Sequence, residues 1–348
     1  MPVLARRLVA LAVTLVVAAC GGKATTSDKR PDARAVVIVS GLASASPFTT
    51  PDAACAVGLA AGSADTAIRD HLIAKGHTVY TAPAMAGRGQ VTGQTGFGAF
   101  GACPVTLPEN MTVDTSGSID LAGEHLARFL TYLHTDKGVD EIDLVGHSMG
   151  GLYARAAIRS LITAGSQLKV RSLTTIGTPW QGSYLADYAD GGVRLSDCLG
   201  DQFCEAQMTG FVKDVAQVYV SGSAHELGQA YLSGAKGWNQ FQAGALANIP
   251  VTVIGGNRFT KPGTADPMVW PNDGIVALRS ALAVGIDASV LPHRRCYTFD
   301  ATHSDYVSMI ANLPKDTALT WDPRVLDAVT SAIEDAPKAL DAPDRQGC

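Results

Sequence analysis

The stretch Asp143-Leu144-Val145-Gly146-His147-Ser148-Met149-Gly150-Gly151 constrains this chain more than any other. The apolar run of Ile142, Leu144 and Val145 reads as the end of a buried strand. The chain then turns through Gly146 to Gly150 and continues as Leu152-Tyr153-Ala154-Arg155-Ala156-Ala157-Ile158, which has helical spacing. A strand, a tight turn bearing Ser and a helix together form a nucleophile elbow, with the Ser148 hydroxyl projecting from the end of the sheet. Gly146 and Gly150 lack a Cβ, so strand and helix can approach closely. The helix start supplies free N–H groups and a positive dipole end, which would stabilise an oxyanion. The bland alternative is a Gly-rich turn with an incidental Ser.

Strand and helix patterns surround the elbow. Ala35 to Val39 is wholly apolar and rich in β-branched residues, as a central parallel strand requires. Further strands are expected at His77 to Thr81, Glu141 to Val145, Val170 to Ile176, Pro250 to Gly256 and Arg295 to Phe299. Helices are expected at Ser63 to Lys75, Ser118 to His134 and Asp322 to Glu334. This alternation predicts an α/β fold: a mostly parallel sheet covered on both faces. Ser183 to Ala247 lacks strong strand runs and carries helical patches around Phe203 to Val220 and His225 to Leu232, so it reads as an inserted cap. The Gly-rich run from Gly87 to Gly101 lacks the pattern of a nucleotide phosphate loop and reads as a surface loop.

A serine hydroxyl needs a neighbouring base, and the base needs an orienting acid. After an elbow the chain order is Ser, acid, His. Asp273, in Pro271-Asn272-Asp273-Gly274-Ile275-Val276, follows the strand near Val251 to Ile254. His303, in Ala301-Thr302-His303-Ser304-Asp305, follows the last strand. Each alone has an ordinary reading, Asp273 as a turn residue and His303 as one of eight histidines. Their joint placement makes Ser148, Asp273 and His303 the candidate catalytic set. Asp266, Asp287 and Asp300 are rival acids; His293 is a rival base, but it precedes the last strand. His147 is expected to pack beneath the elbow, and Trp180 and Tyr184 to line the acyl pocket or join the core. The oxyanion donors expected are the amides of Leu42, in the loop after the first strand, and of Met149.

Three segments carry a resemblance: Gly146-His147-Ser148-Met149-Gly150-Gly151, Thr175-Ile176-Gly177-Thr178-Pro179 with Gly182-Ser183, and Asn272-Asp273-Gly274-Ile275-Val276. The chain resembles the bacterial triacylglycerol lipases of the α/β-hydrolase superfamily. The resemblance implies an α/β-hydrolase core, a Ser148–Asp273–His303 triad, a mobile cap and an acyl-ester or lipid substrate. It departs after the first strand, where such lipases usually read His-Gly and this chain has Ser40-Gly41. It implies no cofactor beyond a structural calcium, for which Asp305 is the one candidate ligand.

The N-terminus reads as a lipoprotein signal over residues 1–19. Arg6 and Arg7 precede an apolar run from Leu8 to Ala19 that is too short to span a bilayer, and Val17-Ala18-Ala19-Cys20 is similar to a lipobox. Cys20 would be lipidated and anchor the chain to a membrane; Gly21 at the next position favours outer-membrane sorting, and residues 20–34 read as a tether. Ordinary signal cleavage before a plain Cys is the alternative. Setting Cys20 aside leaves six of the 7 Cys for disulfides in an oxidising compartment, guessed as Cys55–Cys103, Cys198–Cys204 and Cys296–Cys348. The body is expected over 35–335, with a tail over 336–348. A formal charge of −5 argues against a nucleic-acid partner. The chemistry expected is ester hydrolysis through an acyl-enzyme; an acyltransferase with the same triad, or an inert lipid- or partner-binding lipoprotein, are the other readings.

Overall fold

The computed structural model describes residues 34–52, 64–91, 105–218, 223–263 and 268–340. Its strands are β1 (Arg34–Val39), β2 (Val79–Thr81), β3 (Ala84–Met85), β4 (Val113–Asp114), β5 (Glu141–His147), β6 (Lys169–Ile176), β7 (Val251–Gly256) and β8 (Arg294–Phe299). Six of them form one sheet in the order β2-β1-β5-β6-β7-β8, every pair parallel, while β3 and β4 make a small separate pair. Register aligns the carboxyl ends: Val39 lies opposite Gly146, His147 opposite Ile176, Ile176 opposite Ile254, and Gly256 opposite Phe299. Loops leaving β1, β5, β6, β7 and β8 therefore emerge along one rim, the place where open α/β sheets build their sites.

Side-chain alternation divides the core in two. Val37 and Val39 of β1 and Leu144 of β5 pack with helix α2 (Ile119–Lys137) and helix α3 (Gly150–Thr163). Val36, Ile38 and Val145 point to the other face, against α1 (Ala64–Ala74) and the closing helix Pro323–Glu334. Each fully buried Val, Leu or Ile contributes about 1.5–3 kcal/mol, so this two-sided burial is what holds strands with so little polar character in a sheet. Helix α2 begins at Ser118, whose side chain accepts from the Leu121 amide, and stops at Gly138 in the left-handed region. Ser148 interrupts the β5-to-α3 turn at φ +54. The close approach there is real: a Cβ on Gly150 would lie 2.1 Å from the Val39 carbonyl oxygen. This is the α/β architecture expected from the sequence, a parallel sheet covered by helices on both faces.

The segment between β6 and β7 is built of short pieces. They are α4 (Tyr184–Ala189), a 3₁₀ turn at Leu195–Cys198, α5 (Gln202–Val218), a 3₁₀ turn at Ser223–Leu227, α6 (Gln229–Ser233) and a 3₁₀ turn at Trp238–Gln242. The patch expected as one helix over His225 to Leu232 is two elements, because Gly228 takes an extended conformation at ψ 150 and starts α6 afresh. The Cys198–Cys204 disulfide closes the front of α5. Cys296 is also disulfide-bonded, but the guessed partners Cys55, Cys103 and Cys348 lie outside the described residues, as does Cys20. Beyond β7 come α7 (Leu278–Ala281), α8 (Asp305–Ile310) and the closing helix, α9 (Pro323–Glu334). The expected tail begins with one further helical turn at Ala336–Ala339.

Candidate active site

Ser148 sits at the rim end of β5, and two hydrogen bonds tie its backbone to the end of β6 and the residues after it. Its amide donates to the Ile176 carbonyl at 2.8 Å, and its own carbonyl accepts from the Thr178 hydroxyl at 2.7 Å. A non-glycine residue at positive φ is strained by roughly 1–3 kcal/mol, and these bonds from the end of β6 hold the strain in place. Thr178 belongs to a segment singled out in the sequence by resemblance, without an assigned role.

Asp273 and His303 form a closed pair. The Asp273 carboxylate is fully buried and takes the His303 Nδ1–H on Oδ2 at 2.8 Å. Its Oδ1 accepts from the amides of Ile275 at 3.0 Å and Val276 at 2.7 Å. Three donors thus solvate the carboxylate in place of water. With Nδ1 carrying the proton, His303 Nε2 is left as a lone-pair acceptor, which is what a general base needs. The backbone of His303 is also held. Its amide donates to the Asp273 carbonyl at 2.8 Å, and its carbonyl accepts from His147 Nε2 at 3.0 Å.

His147 links the backbone of His303 to the chain beside Ser148. It directly precedes Ser148, its ring centre lies 4.9 Å from that of His303, and it is buried. Burial first, and the neighbouring His303 second, push its pKa down from 6.5 to about 3, so the ring is neutral and donates through Nε2. The expectation that it packs beneath the elbow captured its burial and not this bond. The Ser148 hydroxyl itself makes no hydrogen bond among the described residues. Catalytic contacts of this kind commonly close only around substrate.

The loop after β1 approaches the elbow from the other side. A Cβ on Gly41 would lie 2.5 Å from Ser148 Cβ and 3.1 Å from its Oγ, so only glycine fits at that contact. Ser40, where the resemblance departs, has its hydroxyl 3.0 Å from that of Ser46. The amides of Leu42 and Met149 have no hydrogen-bond partner among the described residues.

The rivals lie elsewhere. His293 is at the opposite end of the sheet, its carbonyl accepting from Val251 at the start of β7. Asp287 is exposed, Asp300 is exposed and paired with Arg258 at 2.9 Å, and Asp266 is outside the described residues. Trp180 and Tyr184 are core rather than pocket, at 0% and 1% exposure. Trp180 packs on Arg155, and the Tyr184 hydroxyl donates to the Gly274 carbonyl at 2.9 Å, while Ser183 Oγ donates to Ile275 at 2.6 Å. The start of the cap therefore clamps the turn that presents Asp273. Asp305 starts α8, and among the described residues no group of three or more His, Cys, Asp or Glu is arranged to hold a metal.

A family model described as "Putative serine esterase (DUF676)" matches residues 103–203, which include α2, the elbow and β6. Triacylglycerol lipases of Pseudarthrobacter phenanthrenivorans and Burkholderia plantarii are each 38% identical to this chain over 66 residues. Those residues are 19% of this chain, 19% of the first lipase and 17% of the second, so the match spans about a fifth of the relatives' length. Among solved structures, the mature form of the Bacillus licheniformis lipase BlEst2 aligns at 14% identity and a TM-score of 0.46, covering 88% of this chain and 91% of that one. A thermophilic esterase from Thermogutta terrifontis aligns at 15% identity and a TM-score of 0.41, covering 86% and 89%.

Proposed function

We propose that this chain is a lipase-like serine carboxylic-ester hydrolase working through an acyl-enzyme. The observation that carries the reading is the buried His303–Asp273 hydrogen bond beside a serine held at positive φ. In this mechanism Ser148 Oγ attacks the ester carbonyl carbon and His303 Nε2 takes the hydroxyl proton. The carbonyl oxygen becomes an oxyanion facing the Leu42 and Met149 amides, each such donor being worth about 10²–10³ in rate. Collapse breaks the C–O bond of the ester, and the imidazolium returns the proton to the leaving alcohol. Asp273 holds the imidazole in the required tautomer and stabilises its charged form. Water, deprotonated by the same imidazole, then releases the acid and restores Ser148.

The partial kinship with triacylglycerol lipases supports an acyl-ester or lipid substrate. The same reading takes the chain as exported and membrane-anchored through an acylated Cys20, on the strength of the basic, apolar and small-residue run before it. Hydrolysis of p-nitrophenyl esters of graded chain length, by wild type and Ser148→Ala, tests the chemistry: turnover in the wild type and loss in the variant are expected, and equal rates overturn it. Incorporation of labelled palmitate in a bacterial host, lost in Cys20→Ala, tests the anchor.

A further inference from the structure

Arg155 lies on α3, two turns beyond Ser148, and is 1% exposed. Its guanidinium carbon is 4.1 Å from the ring centre of Trp180, in the loop after β6, and 4.8 Å from that of Trp238, in the last 3₁₀ turn of the cap. The two indoles account for the cation's faces. They do not account for its edge: Nε, Nη1 and Nη2 all lack a hydrogen-bond partner.

Among the described residues, the other buried charges are met. Asp143 takes Arg34 at 2.9 Å, Arg171 at 3.2 Å and Ser172 at 2.6 Å. Arg69 donates to Thr49 and to the Thr50 carbonyl, and Arg294 to the carbonyls of Leu282 and Ala283. Arg155 has no such arrangement. Asp120, bound to the Trp238 indole N–H at 2.8 Å, takes its ion pair from Arg159 instead, also at 2.8 Å. The two cation–π contacts stabilise the guanidinium, but they do not offset the cost of burying an unpaired charge with its donors unmet. Burial alone pulls Arg155 well below the usual guanidinium range, to about 9, with no carboxylate acting against it.

The surroundings hold further unmet polar groups. Asn239 donates to the Trp180 carbonyl at 2.8 Å, and its Oδ1 has no partner. Gln242, on the same turn as Trp238, is fully buried with neither amide atom bonded. A buried cation with an open edge, no acid and a nearby amide needs a negative partner small enough to be enclosed.

We propose that the Arg155 edge between Trp180 and Trp238 binds a monatomic halide, chloride in practice. The ion would neutralise the guanidinium and accept its N–H groups. It would thereby fasten three pieces of chain at one point: the elbow helix, the loop after β6 and the cap. A weakly hydrated halide suits the site better than fluoride, since the ion must shed its water to sit among groups with 0–5% exposure. The site is separate from Ser148, and the inference holds whether or not the ester chemistry does.

Crystals of the full chain grown in sodium bromide test it. An anomalous peak at the Arg155 edge is expected. Thermal unfolding of the same protein, with gluconate balancing ionic strength, should rise by roughly 2–3 °C for each tenfold increase in saturating chloride. Arg155→Met should lose that dependence; should it not fold, the wild-type crystal decides alone. No anomalous signal at the edge in high bromide, or wild-type unfolding indifferent to chloride at constant ionic strength, overturns the site.

Discussion

The rim of the sheet and the segment between β6 and β7, the one expected as a cap, are held together in opposite ways. At the rim, each of Ser148, Asp273 and His303 has backbone hydrogen bonds: the Ser148 amide to Ile176, the Asp273 carboxylate to the amides of Ile275 and Val276, and the His303 amide to the Asp273 carbonyl, with the Thr178 hydroxyl and His147 Nε2 adding one bond each. Between β6 and β7, short helices are fastened by buried carboxyl groups that accept backbone hydrogen bonds. Asp187 accepts from the Gln229 amide at 2.7 Å where α6 begins, and Glu226 reaches across to accept from the Ile119 amide at 2.7 Å, at the start of α2. Burial pushes both carboxyls up, Asp187 from 3.8 to about 6. Geometry set by backbone changes little with conditions. Fastening by buried ionisable groups changes with pH. The rim is therefore the place to lose rate by substitution, and the cap the place to change stability with rate little affected.

The largest effects should fall on the rim. Ser148→Ala is expected to reduce kcat by about 10⁴–10⁶ and to abolish labelling by a fluorophosphonate, with unfolding unchanged. Asp273→Asn should cost about 10⁴ in kcat, because an amide presents a donor to Nδ1 and favours the wrong imidazole tautomer. Gly41→Ala is expected to lower kcat by roughly 10², since its methyl must displace Ser148 from the contact at 2.5 Å. Steady-state kinetics with circular dichroism as a folding control checks all three. A cap variant such as Cys204→Ser with an equal loss of kcat and an intact fold would break the contrast.

How much of this was legible depends on whether the signal was local. β1 is a continuous apolar run after Arg34, β7 is one broken only by Thr252, and β5 carries Ile142, Leu144 and Val145, as strands buried on both faces require, so their placement followed from composition. The position of Ser148 followed from Gly146 and Gly150, which the turn demands. Asp273 and His303 could be named because both follow strands in the required order. What stayed hidden depended on contacts between distant segments. Nothing near Thr178 says that its hydroxyl holds the Ser148 carbonyl, nor anything near Tyr184 that it grips Gly274, 90 residues on. Trp180 could be read as pocket or core, because an aromatic beside a Gly-Thr-Pro turn has no local sign of burial; its partner Arg155 is one strand away. In the cap, short 3₁₀ turns leave too few residues for a periodic pattern, so its two longer patches could be read and the turns between them could not.

A smaller effect separates positioning from packing at His147. Its Nε2–H to the His303 carbonyl is a side-chain bond joining the residue before Ser148 to His303. Gln can place an amide N–H near Nε2, whereas Asn reaches only the position of Nδ1, which has no partner. His147→Asn is expected to lower kcat roughly tenfold with KM unchanged, matching one lost hydrogen bond, and His147→Gln to recover most of that loss. If Asn and Gln variants fall equally, His147 acts through volume alone, and the rim is less a matter of hydrogen-bonded backbone than argued above.

The smallest effect belongs to the cap and reads as stability against pH. Because Asp187 holds its proton to about pH 6 when folded and to about 3.8 when unfolded, the folded state binds more protons in that window. The stability tied to its neutral form is complete below about 3.8 and is lost as pH rises through about 6. At pH 7.5 the ionised, buried carboxylate is thus a liability of about 1–3 kcal/mol. Asp187→Asn keeps an oxygen for the Gln229 amide and removes the charge. It should raise stability at pH 7.5 by about that amount, do nothing at pH 4, and leave kcat within about twofold, since Asp187 contacts α6 and not the rim. Urea unfolding at the two pH values checks the sign; destabilisation by Asn at pH 7.5 would mean that the carboxylate is fastened better than burial suggests, and that the cap, like the rim, is held by bonds indifferent to pH.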